Sequence, residues 1–243
     1  MDVAEVMVEL EKLGTEQTKK TWLRHGASGE LFGVKIGDMK TLMKQLPKGN
    51  AKEKPARQAL ALGLWATGNL DAMYFAALLA DGALMTRKQL EQWVASARWQ
   101  MLAEYSVAWV AAENGAAREI ALEWIDSKKP NVACAGWNTY LGLVATRPDA
   151  ALDLKEIERL LARIEKDVAT APNRVRYCMN GFVMAVGAYV KPLLAKAKAT
   201  AKKLGAVRVD VGDTDCKVPN ALEMIEKIES MGRVGKKRTT MKC

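Results

Sequence analysis

The chain has 243 residues, 49 % of them apolar and 27 % charged, which at roughly 100–200 residues per domain allows one large domain or two small ones around a sizeable core. Its net charge of +9 is unevenly placed: residues 168–209 carry eight Lys/Arg and no acid, residues 232–243 five more and no acid, so the remainder sums to −4. No apolar run approaches the ~18 residues of a membrane-spanning helix, and the acidic, amphipathic start MDVAEVMVELEKLG is not a signal peptide, so a soluble cytoplasmic monomer with no membrane partner is expected.

Ala, Leu, Met, Lys and Glu fill the periodic stretches while Gly and Pro stand between them, which predicts an all-α protein. Residues 2–13 and 15–26 form the first helix pair, with Thr18 and Trp22 on one face of the second helix. Phe32-Gly33-Val34 interrupts, Ile36, Met39, Leu42 and Met43 begin a third helix, and Pro47-Lys48-Gly49-Asn50 ends it. Helices are then expected over about 52–67, 70–80, 87–97, 99–112, 116–126, 131–145, 153–168, 173–190 and 192–204, separated by turns such as Thr67-Gly68-Asn69 and Lys129-Pro130. Thr86 and Asp153 have the form of N-caps, each followed three residues on by Gln89 or Glu156. Between 52 and 145 a pair recurs roughly every 30–40 residues, which suits a HEAT-like or armadillo-like α-solenoid over residues 1–206. In Val207–Val218 β-branched residues alternate with Asp and Gly, so residues 207–243 are read as an extended connector, a helix over 219–231 opened by Pro219, and a basic tail.

Zinc and disulfide chemistry find little support, because Cys134, Cys178, Cys216 and Cys243 are 44, 38 and 27 positions apart and His25 is the only histidine. Gly235-Lys236-Lys237-Arg238-Thr239 lacks the strand and loop of a phosphate-binding loop, and Asp213 and Asp215 beside Gly212 suit a polar turn better than a calcium site. No metal or cofactor is expected. The basic C-terminal third points to a polyanion partner, nucleic acid first. Trp93, Trp99, Trp109 and Trp124 lie on consecutive predicted helices and suit either core packing or a π-rich wall for a base.

The stretch Leu64-Trp65-Ala66-Thr67-Gly68, Ala76 to Asp81, Leu84-Met85-Thr86, Trp93-Val94 and Trp99, entered through Leu31-Phe32-Gly33-Val34-Lys35, resembles the core pattern of the DNA alkylation repair family of HEAT-like (AlkD-like) glycosylases. The likeness runs to about residue 191, roughly four fifths of the chain. Asn173-Arg174-Val175-Arg176-Tyr177, Asn180-Gly181-Phe182 and the ending Gly235 to Thr239 resemble one bacterial subgroup. The resemblance implies DNA bound along a concave face and excision of cationic N3- and N7-alkylpurines, two Trp and one Asp contacting the lesion. An alkylated purine is already a good leaving group, so a carboxylate and aromatic faces suffice to stabilise oxocarbenium-like charge. In that family the Asp follows a Trp by four residues; Trp99 matches the Trp, and the fourth residue after it is Ala103. Glu104 is the neighbouring carboxylate, one residue and about 100° around a helix from the matched direction. Asn180 and Met184 replace a Lys and a second Trp of the family, and Val132-Ala133-Cys134 lacks its basic residue.

Two readings follow. In one, the protein binds DNA and excises alkylated bases with Glu104 in place of the Asp and Trp99 and Trp137 as aromatic walls. In the other, it is a non-catalytic HEAT-like scaffold for DNA structures or a protein partner. Where DNA is the partner, Arg174, Arg176 and Asn180 are expected on one DNA-facing stripe, and Lys236, Lys237 and Arg238 in a flexible cationic arm.

Overall fold

The computed structural model describes residues 1–46 and 52–242; the turn expected at Pro47-Lys48-Gly49-Asn50, and Cys243, lie outside them. All regular structure among the described residues is helical, with no strand, and no single helix is long and apolar enough to cross a membrane. The chain separates into two compact units, residues 1–115 with 212–214 and Lys242, and residues 116–211 with 215–241.

The first unit holds α1 (Val3–Leu13), α2 (Glu16–Arg24), α3 (Ile36–Met43), α4 (Lys54–Ala66), α5 (Leu70–Leu79), α6 (Arg87–Ser96) and α7 (Ala108–Ala112). Asp2 and Glu5 close a capping box on α1, and Thr86 and Gln89 close the one expected on α6. Every residue of α5 is buried, so its ends rely on others: Asn69 Oδ1 accepts from the backbone N–H of Asp71 and Ala72. Trp65 and Trp93 stack at 4.0 Å with planes 6° apart, which places these two indoles in packing.

Asp71 explains the Phe32-Gly33-Val34 motif. Its carboxylate accepts the backbone N–H groups of Phe32, Gly33 and Val34 at 2.7, 2.9 and 3.0 Å, which fixes the loop between α2 and α3. Burial pushes the Asp71 carboxyl above its usual range, opposed by these three bonds. Gly33 has φ +84°, and a Cβ there would sit 2.5 Å from the Lys19 nitrogen and 2.6 Å from the Thr15 carbonyl, so only glycine fits the loop against α2.

The second unit holds α8 (Ala117–Ile125), α9 (Pro130–Thr146), α10 (Leu154–Asp167), α11 (Asn173–Tyr189), α12 (Leu194–Leu204) and α13 (Ala221–Ser230). α9 and α11 are the long central helices, and their inward faces join α8, α10, α12 and α13 in one apolar core around Trp137, Tyr140, Leu161, Phe182 and Ile225. Gly136 allows the close approach of α8 to α9, since a Cβ there would meet the Ile125 nitrogen at 2.5 Å. Asp153 caps α10 as expected. Glu156, however, is drawn into the unit: it takes Arg118 at 2.9 and 2.6 Å and the Tyr140 hydroxyl at 2.6 Å. α13 starts later than expected, with Asn220 and not Pro219 leading into it, and residues 205–220 carry no helix or strand.

Candidate nucleic-acid interface

The helix expected over 99–112 is not regular. The carbonyl of Trp99 accepts from Leu102 and Ala103 at 2.9 and 3.1 Å; then Met101–Val107 widens into π-helical turns before α7. Such turns carry one extra residue and recur at functional sites, and Glu104 lies inside this one. Both members of the expected catalytic pair are enclosed: Trp99 is 4 % and Glu104 1 % exposed. The Trp99 Nε1–H donates to the His25 carbonyl at 3.0 Å, joined there by Gln100 Nε2 at 3.0 Å, and its ring lies 5.8 Å from Trp22. The space bounded by Trp22, Met39, Asp71, Tyr74, Trp99 and Met101 is about 10 Å³, enough for a single water and too small for a base.

In the second unit Trp137 is fully buried, its ring edge against Phe182 at 5.4 Å. On α11, Arg174 and Arg176 are two residues apart and therefore about 200° apart around the helix. They do not share the single stripe expected of them. The Arg174 guanidinium covers the Tyr177 ring at 4.3 Å. Arg176 and Asn180 lie one turn apart with Asn173, and this stripe clasps the connector. The Asn173 amide pairs with the Asp210 backbone, Nδ2 to O at 2.7 Å and N to Oδ1 at 2.8 Å; Arg176 Nη2 donates to Asn173 Oδ1 at 3.4 Å; Asn180 Nδ2 donates to the Pro219 carbonyl at 2.9 Å. Asn180 is 1 % exposed, and its Oδ1 and the Arg176 Nε are buried without a hydrogen-bond partner.

The tail differs most from expectation. It is docked along helix C-termini, where carbonyls lack partners and the dipole is negative. Gly235 N–H donates to the Ala188 carbonyl of α11 at 2.9 Å, and Arg238 N–H to the Ala145 carbonyl of α9 at 2.8 Å. Lys237 Nζ donates to Val144 O at 2.8 Å and lies 2.8 Å from Asp149 Oδ1, a charge contact rather than an aligned hydrogen bond. With Arg147 N–H on Leu143 O, three successive carbonyls at the end of α9 are satisfied. In the first unit, Lys242 Nζ meets the Ala80 carbonyl at the end of α5 and Glu113 Oε2 at 2.8 Å. α5, α9 and α11 have no basic residue in their own last turns; the tail supplies the missing charge. Lys236 and Arg238 remain exposed on either side of the half-buried Lys237. No local pattern marks Lys237 as different from its neighbours, because the distinction depends on helix ends far away in sequence.

Comparison with known proteins places this arrangement. Residues 6–203 match a family described as DNA alkylation repair enzyme. Uncharacterized protein Lmo0209 of Listeria monocytogenes is 33 % identical over 223 residues, 90 % of this chain and 93 % of that protein; Lin0241 of Listeria innocua is 32 % identical over the same shares. The chain is also similar to a solved protein from a new family related to the HEAT-like repeat DNA glycosylases with affinity for branched DNA structures. That similarity has TM-score 0.88 and 37 % identity, and covers 100 % of both chains. The all-α, HEAT-like repeat class read from the sequence is thereby the fold of this chain.

Proposed function

We propose, from the premise that this chain belongs to the DNA alkylation repair family, that it binds DNA, prefers branched structures over plain duplex, and does not excise alkylated bases. The observation that carries this reading is the full-length similarity, at 37 % identity, to a protein with affinity for branched DNA. The chemistry at residues 99–104 is in keeping with it. Ala103 offers no carboxylate where the family resemblance would place one. Glu104 is enclosed in a π-helical turn, where it is not open to a deoxyribose. Trp99 and Trp137 fill interior space, so neither offers an open face for stacking. Binding then rests on phosphate contacts from exposed cations, the sequence-independent route to affinity.

The test is a gel-shift titration on a four-way junction and a duplex of the same sequences, run beside an excision assay on DNA containing 7-methylguanine. The expected result is tighter binding to the junction and no abasic product. Excision that disappears in Glu104→Gln would overturn the non-catalytic reading in favour of a glycosylase. Absence of binding to either DNA would favour a protein partner.

A further inference from the structure

We infer that the docked C-terminal tail builds a phosphodiester-binding surface at the end of the second unit, made by Arg147, Lys191, Arg233, Lys236 and Arg238. This rests on the DNA-binding reading above and gives it a place on the molecule. Two backbone hydrogen bonds set the register, Gly235 N–H to Ala188 O and Arg238 N–H to Ala145 O. The first lays the tail beside Lys191: a Cβ at Gly235 would be 3.4 Å from the Lys191 Cβ. The second lays Arg238 two residues from Arg147, which ends α9. Between these anchors Lys237 is half-buried, and its neighbours Lys236 and Arg238 are exposed. Lys237 turns in to the α9 carbonyls and Asp149, while Lys236 and Arg238 are turned out.

All five cations are exposed. Arg147, Lys191, Arg233 and Lys236 have no side-chain partner among the described residues, and Arg238 touches only the Thr240 carbonyl, at 3.2 Å. The nearby acids are already engaged, Asp149 by Lys237 and Glu229 by Lys198 at 2.8 Å. Bare helix C-termini would repel a phosphate. Here the carbonyls of α9 and α11 are covered by tail N–H groups and the Lys237 ammonium, which removes that obstacle. The inward lysine and the outward cations are thus two parts of one device. Five cations reached by three separate stretches of chain suit a partner whose phosphates are spread over several nucleotides.

The experiment measures binding of the full-length protein to a four-way junction as a function of salt. Three variants are compared with the wild type: Lys191→Ala/Lys236→Ala/Arg238→Ala; Lys128→Ala/Lys155→Ala/Lys166→Ala, an equal loss of charge at exposed positions elsewhere on the same unit; and Lys237→Met. The first should lose at least tenfold in affinity at low salt, and its plot of log K against log salt should flatten by about one unit for each phosphate contact removed. The second should keep the wild-type slope. Lys237→Met should melt earlier and, once affinity is expressed per folded molecule, keep most of the slope. Equal losses in the first two variants, or none in the first, would overturn this surface while leaving DNA binding in place. A wild type that binds no DNA would remove the reading on which the surface rests.

Discussion

Asp71 holds a loop in place through three backbone donors reached across 37–39 residues of sequence. Asparagine at this position has one acceptor oxygen and an NH₂ group that would face a donor. The Asp71→Asn variant should lose about 2–4 kcal/mol at neutral pH, from charge-assisted bonds given up and buried N–H groups left bare. The pH dependence has a defined sign. Burial raises the folded carboxyl pKa above its unfolded value, so the native state takes up a proton first as the pH falls, and the cost of the buried charge is relieved. The gap between wild type and variant should therefore widen on acidification through that raised pKa. Urea titrations at neutral and mildly acidic pH measure it; a variant within 0.5 kcal/mol of wild type, on the order of an ordinary surface change, would show that Asp71 does not hold the loop.

Among the elements, the tail carries the sharpest correction. A segment of twelve residues with five cations and no acid reads as an arm unable to fold by itself, and its removal would then leave stability unchanged. Docked on helix ends, it contributes backbone bonds at Ala188 and Ala145 and the Lys237 and Lys242 contacts. Deleting residues 232–243 should lower stability by about 2 kcal/mol, or roughly 4–8 °C in Tm for a chain of this size. An unchanged melting curve would return the tail to the role of a loose arm. The helices themselves are largely legible in the sequence, and the Thr86 and Asp153 caps stand where predicted, because periodicity and capping are local signals. The π-helical widening at Met101–Val107 is not legible: the residues suit an α-helix, and the extra residue is accommodated only once the helix meets its neighbours. For the same reason Glu156, which has the spacing of a capping-box partner, is taken instead by Arg118 and Tyr140.

At the scale of the whole molecule, the all-α class, the HEAT-like repeat and the family are readable from helix spacing and from Trp and Phe-Gly-Val landmarks. The candidate site is only partly so. Composition identifies a basic C-terminal third, but it cannot separate cations that hold the structure from those left for a partner. Lys237 and Lys242 cover helix ends, Lys198 and Lys203 pair with Glu229 and Glu165, and Arg174 lies on Tyr177; Lys236 and Arg238 are among the exposed cations left over, beside Arg147, Lys191 and Arg233. The property proposed for the whole molecule is structure-selective DNA binding. Its most direct test is a competition in which labelled four-way junction, already bound by the full-length protein, is challenged with unlabelled duplex and unlabelled junction of the same sequences. Displacement is expected by junction at about equimolar competitor and by duplex only at a large excess; displacement by both at equal nucleotide concentration would contradict structure selectivity.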